Sequence, residues 1–401
     1  MFYNVFLNRI KKTLTLNQGK KMTIENNLDE IRNNFPVTKN LIYLDHAAVA
    51  PIHNGSKAAL EEYTEHFLNK GIRDYVYWYE KTEKIRADFA KFVSADTSEI
   101  AFVKSTSSGI SIFANGINFE EGDNVIIPNI EFPSNVYPWL NLERKGIKVN
   151  FLTCENGVID LDKLAEKIDK KTKAVSLSWV QFSSGYKVDL NKVSEVIKQK
   201  SDLYGRKIYF CVDAIQGLGA LELDVSKTEI DFFAADGHKW FLSAEGIGFL
   251  YCNKKIIDEI YPVTVGWKSV INPLDFGNIH FDLESSARKF EEGSLNIAGI
   301  STLGASLELF NKYGIKEIEK RILNLSKYAC ELLTSKGVNL YTKNNDFCRS
   351  GIVSFKTANP EETFNKLINN NFQISLRNGL LRISPHFYNT VEELKKFIQY
   401  L

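Results

Sequence analysis

The 401-residue sequence predicts an α/β protein: a large domain with a mostly parallel sheet between helices, followed by a smaller C-terminal α/β domain. Two observations carry this. Between about residues 100 and 252, short apolar runs alternate with helical patterns, as parallel strands joined by crossover helices require. Beyond them, a long amphipathic helix, three short strands and a capped final helix supply enough apolar surface for a second lobe.

Taken in order, an acidic amphipathic helix is expected from Asn27 to Phe35, then a strand at Leu41–Leu44. Ala58, Leu60, Tyr63 and Phe67 fall at helical spacing, and a second helix runs to Phe92. The alternating region reads as strands at Ile100–Val103, Asn124–Ile127, Lys148–Leu152, Ala174–Leu177, Lys207–Val212, Ile230–Ala234 and Gly248–Tyr251. Helices between them are expected at Gly109–Ile117, Ser134–Glu143, Leu161–Ile168 and Leu190–Lys198. In the second lobe Ile315, Ile318, Ile322, Leu325, Ala329 and Leu332 mark a helix, and strands follow at Ile352–Phe355, Gln373–Leu376 and Leu380–Ile383. Thr390 with Glu393 makes a capping-box spacing for the last helix. The expected division is a large domain over 43–285 and a small one over 286–401, with 22–42 packed on the small domain.

Residues 2–21 carry Arg9, Lys11, Lys12, Lys20 and Lys21 with no acidic residue, but lack the apolar core of a secretory signal. Met1 and Met22 are the only methionines, so Met22 is a second possible start and residues 1–21 a disordered basic extension; an organellar transit peptide is the alternative. A net charge of +1 gives no global pull toward nucleic acid, and no apolar run reaches membrane-spanning length. Five scattered cysteines suit reduced core thiols of a cytoplasmic protein, and six scattered histidines show no metal-ligand spacing.

The chemistry-bearing residues sit just after strands, where ligands bind in such sheets. Lys239, in Asp236-Gly237-His238-Lys239-Trp240, stands behind a buried strand and ahead of Glu245-Gly246-Ile247-Gly248. Such an amine is a candidate for a lowered pKa and Schiff-base chemistry, while a surface lysine with a buried stem fits the segment equally well. Ser105-Thr106-Ser107-Ser108-Gly109 joins a strand to a helix and is either an anion cup or an ordinary hydroxyl cap. Asp213 ends a very apolar strand and is either a cap or the partner of a bound cation such as a protonated pyridine nitrogen, with Gln216 within reach of a ring hydroxyl. Phe132 is either a stacking ring or plain core. Arg377 and Arg382 flank an Asn378-Gly379 turn and are either a carboxylate fork or two surface arginines.

Tyr43-Leu44-Asp45-His46-Ala47-Ala48, Ser105-Thr106-Ser107, Glu131-Phe132-Pro133-Ser134, Val212-Asp213-Ala214-Ile215-Gln216, Asp236-Gly237-His238-Lys239-Trp240, Phe290-Glu291-Glu292-Gly293-Ser294 and Leu381-Arg382-Ile383-Ser384-Pro385-His386-Phe387-Tyr388-Asn389-Thr390 occur in one order. In that order they resemble the class V aminotransferase superfamily of fold-type I pyridoxal-phosphate enzymes, which includes cysteine desulfurases, isopenicillin N epimerase and kynureninase. The resemblance implies pyridoxal 5′-phosphate as cofactor, Lys239 as its imine-forming lysine and proton shuttle, and Asp213 as the partner of its ring nitrogen. It implies Gln216 at the ring hydroxyl, Phe132 stacked on the ring, and Thr106, Ser107 and His238 on the phosphate. Ser294 would reach the phosphate of a neighbouring subunit, implying a homodimer with shared sites. Arg382, with Arg377 and His46, would bind a small amino-acid substrate. Two features depart from the desulfurases: only Asn378-Gly379-Leu380-Leu381 lies where those enzymes carry a loop with a nucleophilic cysteine, and Phe182 stands where they often place an asparagine. An aminotransferase is therefore expected, with a β-elimination lyase, an amino-acid epimerase and a non-catalytic cofactor-binding protein as alternatives.

Overall fold

A computed structural model describes residues 23–401. The basic segment and Met22 lie outside the described residues. Among the described residues no helix is long and apolar enough to cross a membrane.

Two helices, α1 (Asn54–Lys70) and α2 (Tyr75–Phe92), lead into a seven-stranded sheet. Its strands are β1 (Ile100–Val103), β2 (Asn124–Pro128), β3 (Lys148–Leu152), β4 (Thr172–Ser178), β5 (Tyr209–Asp213), β6 (Phe232–Asp236) and β7 (Gly248–Cys252). They lie in the order β1-β7-β6-β5-β4-β2-β3. All neighbours are parallel except β7, which runs antiparallel to both β1 and β6. Strands β5, β6 and β7 are buried along their whole length, which explains their continuous apolar sequences. Crossovers include α3 (Thr106–Gly116), α4 (Leu161–Lys167) and α5 (Leu190–Tyr204).

The expected helix at Ser134–Glu143 is instead a broken chain of short turns, with α-helix only at Tyr137–Leu140. Pro133 and Pro138 account for this, since neither donates a backbone hydrogen bond. Helix α6 (Ile297–Tyr313), on the small-lobe side of the expected division, packs against α1 and α2 and shares a core with them through Leu303, Leu307 and Phe310, a core that also takes in Ile318 and Ile322. Chain belonging to the second lobe starts with α7 (Ile315–Ser335). A four-stranded antiparallel sheet follows, in which β8 (Val353–Lys356) and β9 (Ser375–Arg377) both pair with β10 (Leu380–Ile383). The helix Val391–Gln399 opens with both bonds of the capping box, Thr390 with Glu393. At the other end, Arg32 reaches the Tyr388 carbonyl and Glu393, Phe35 stacks on Tyr388 at 3.9 Å, and Ile42–Tyr43 pairs with Phe372–Gln373.

Candidate active site

A cavity of about 220 Å³ opens beyond the carboxyl ends of β5 and β6. Lys239 enters it from the loop after β6. Gly237 is required there, because a Cβ would meet Leu303 at 2.6 Å and Ser243 at 2.9 Å. The loop closes through the Leu242 amide, which donates to the Lys239 carbonyl at 3.0 Å while Leu242 holds φ at +58°. A left-handed leucine costs about 1–3 kcal/mol, so the surrounding packing must impose it. The Lys239 Nζ lies 5.5 Å from the centre of the Phe132 ring. Burial lowers this amine to about 8; Asp213 opposes the shift, while Arg382 and Arg377 add to it.

Asp213 is buried at the tip of β5, where its carboxylate accepts from Ser134 Oγ at 3.0 Å and from the Ile215 amide at 3.1 Å. Burial pushes the carboxyl upward despite these bonds and the nearby Lys239. A cation placed beside it would reverse that shift.

The first turn of α3 forms the cup. Ser105 caps it by accepting from the Ser108 amide, and its carbonyl accepts from Gly109, which leaves the amides of Thr106 and Ser107 at the cavity wall. Gly109 lets the helix touch the sheet, since a Cβ would come within 2.5 Å of Ala234. Thr106 Oγ1 accepts from the Asp236 amide at 3.0 Å. His238 Nδ1 and Asp236 Oδ1 approach to 2.9 Å without hydrogen-bond alignment, so both buried atoms lack a bonded partner.

On the opposite wall, Arg382 is buried on β10. It donates to the Phe182 carbonyl at 2.8 Å and to Ser375 Oγ at 3.2 Å, and it lies 3.5 Å from Asp45, while its Nε is unpaired. Burial lowers it to about 10, with Asp45 opposing, so the guanidinium is charged at neutral pH. Arg377 lines the cavity from the exposed end of β9. Both turn residues between these strands have positive φ, 50° at Asn378 and 73° at Gly379, the geometry of a tight two-residue hairpin.

The structure thus brings Lys239, Gln216, Thr106, Ser107, Phe132, His238, Arg377 and Arg382 around one space, while Asp213 is buried behind the lining, bonded to its residues Ser134 and Ile215. His46 is a correction. It is fully buried outside the cavity lining, with Nδ1 at 2.8 Å from the Ser384 carbonyl and Nε2 at 2.7 Å from the Tyr388 hydroxyl, leaving no nitrogen for a substrate. Nearby, His386 Nε2 sits 3.0 Å from the Trp240 carbonyl and Nδ1 accepts from the Phe387 amide. Gln216 does face the cavity, but its amide already bridges the Ala47 carbonyl and Trp240 Nε1, at 3.0 and 2.9 Å. Ser294 is exposed beside Lys104 and Ser108, not in its own chain's cavity. The sequence signal missed Asp45, Ser134 and Glu131, whose partners lie far along the chain.

These groups suit a flat aldehyde cofactor with a phosphate tail. An amine of lowered pKa, a buried carboxylate without a full cation partner and a helix start with two spare amides are the features it needs.

A model of the class V aminotransferases matches residues 42–397. A probable cysteine desulfurase of Methanothermobacter thermautotrophicus is 31% identical over 392 residues, covering 92% of this chain and 95% of the relative. An uncharacterised aminotransferase, YcbU, of Bacillus subtilis is 25% identical, covering 92% and 96%. The apo cysteine desulfurase of Thermococcus onnurineus superposes with a TM-score of 0.83 at 27% identity, over 92% of this chain and 96% of that one. The chain belongs to the class V aminotransferase family, whose fold-type I architecture and pyridoxal 5′-phosphate cofactor it shares.

Proposed function

We propose that the protein is an aminotransferase acting at the α-carbon of a small amino acid. The observation that carries this reading is Lys239: an amine lowered to about 8 in a cavity that Arg382 also lines, with the buried Asp213 bonded to its wall residues Ser134 and Ile215 and, among the described residues, no cysteine in the lining. Bound there, the cofactor supplies an electron sink for the substrate α-carbon. Lys239, the one amine lining the cavity among the described residues, would take the proton from the substrate α-carbon and deliver it to the former aldehyde carbon of the cofactor. Asp213 would keep the ring nitrogen charged, Phe132 would stack on the ring, and Gln216 would orient its hydroxyl side. Thr106, Ser107 and His238 would hold the phosphate, while Arg382, assisted by Arg377, would grip the substrate carboxylate.

The missing thiol argues against forming a persulfide on the enzyme. A second reading, β-elimination of a leaving group that needs no protein thiol, is favoured by the relatives named cysteine desulfurase. The two separate on a panel of amino acids assayed with and without a keto-acid acceptor, measuring pyruvate, sulfide and stereochemistry. Turnover should require the acceptor; products that never require it would overturn the proposal.

The working unit is proposed to be a homodimer. The exposed apolar residues Val265, Trp267, Ile271, Phe276 and Phe281 support a second copy covering residues 261–281, as does Ser294, which is placed away from its own cavity. Sedimentation at micromolar concentration should give twice the monomer mass of 45.7 kDa.

A further inference from the structure

Glu131 is a buried carboxylate that the proposed chemistry does not use. It receives four hydrogen bonds: from Asn135 Nδ2 at 2.9 Å, the Ser178 amide at 2.9 Å, Gln181 Nε2 at 2.6 Å and the Ser178 hydroxyl. As placed, all four groups donate, and the Gln181 Oε1 is left buried without a partner. Asn135 cannot turn its carbonyl toward Glu131, because that oxygen already accepts from Ser176 Oγ at 2.6 Å and Trp139 Nε1 at 3.2 Å. Only an ionised carboxylate accepts four bonds at once; a protonated acid or an amide would turn a hydrogen toward a donor. Burial works against that charge and pushes the carboxyl up to about 7. Paired apolar groups would fill the same space without this cost.

The donors belong to segments that each carry part of the cavity. The loop holding Glu131 also holds Phe132 and Ser134, and Ser134 bonds Asp213. Ser178 is the ladder neighbour of Asp213. Gln181 precedes Phe182, whose carbonyl accepts from Arg382 and whose ring meets Phe132 edge-on at 5.2 Å. We propose that Glu131 is the positioning residue of this cavity, setting the Asp213 side and the Arg382 side at a fixed separation from one carboxylate. The proposal rests on the reading of the cavity as an amino-acid site.

The test compares the holoenzyme with its Glu131→Gln and Gln181→Ala variants by hydrogen exchange at residues 129–135 and 178–183, cofactor absorbance, and steady-state kinetics. In Glu131→Gln the fold should persist, exchange should quicken about tenfold in both segments, and KM for the amino donor should rise about tenfold, equivalent to ~1.4 kcal/mol, with kcat changing less. The absorbance band of the lysine-bound cofactor should shift with it. Unchanged exchange in residues 178–183, or faster exchange with KM and absorbance unmoved, overturns the proposal. Should Glu131→Gln fail to fold, Gln181→Ala, which keeps the carboxylate, decides: it should raise KM by a similar factor with the cofactor retained, and an unchanged KM overturns the proposal. If no amino acid turns over, the reading of function fails while exchange and absorbance still decide whether Glu131 couples the two walls.

Discussion

The Arg382 guanidinium lies 3.5 Å from Asp45, and both side chains are almost wholly buried. Ser375 bridges them, donating to Asp45 at 2.6 Å and accepting from Arg382 at 3.2 Å. Asp45 therefore balances a charge that the substrate would otherwise meet unpaired. Asp45→Asn should destabilise the protein by about 3 kcal/mol, because it strands a buried cation. Urea unfolding measures this.

If Lys239 is the imine-forming residue proposed above, its lowered pKa sets how the cofactor-free protein takes up pyridoxal phosphate. Only the neutral amine attacks an aldehyde, and at pH 7.5 roughly a quarter of an amine of pKa about 8 is neutral, against roughly a thousandth at the ordinary value. The rate of appearance of the imine absorbance should climb with pH through about 8 and then level off. Because the unfolded chain binds the proton more tightly, stability of the cofactor-free protein should rise between about 8 and 10.5. Lys239→Ala should give no imine band and no borohydride-fixed cofactor.

Asp213→Asn keeps the shape of the strand end but removes the charge proposed to face the ring nitrogen. Turnover should fall about a hundredfold or more while cofactor remains bound, a loss typical of removing a preorganised electrostatic partner. Ser134→Ala, which deletes one bond to Asp213, should cost about tenfold or less. Single-turnover kinetics with cofactor absorbance separate the two.

Arg86, fully buried in α2, makes a two-pronged pair with Glu291 at 2.6 and 2.9 Å, and Glu291 also accepts from the Phe102 amide. Glu291 begins the segment that carries Ser294. Glu291→Gln should lower stability by about 3–5 kcal/mol. If Ser294 serves a second subunit, the same change should weaken cofactor binding in the dimer, measured by dialysis.

Much of this was legible in the sequence because each catalytic-type residue directly follows an apolar strand: Asp213 after Tyr209–Val212, Lys239 after Phe232–Ala235. Local order sufficed there. It failed where a residue's partner lies far off along the chain. His46 was expected at the substrate, yet its contacts are Ser384 and Tyr388, more than three hundred residues away. Glu131 was given no role of its own because nothing near it announces Ser178 and Gln181. The packing of helix α6 against α1 could not be read from its apolar face, which suits either core; it is a tertiary fact.

The His386 imidazole ties the two lobes at one point. It reaches the Trp240 carbonyl, one residue beyond Lys239, from a segment four residues beyond Arg382. Burial holds this ring neutral, with its pKa down to about 3, so the tie survives any ordinary change of pH. The amine and the guanidinium are thereby set like the two jaws of a locked calliper: a ligand is selected by the gap already present, and the C-terminal lobe cannot swing away from the lysine without first breaking that bond.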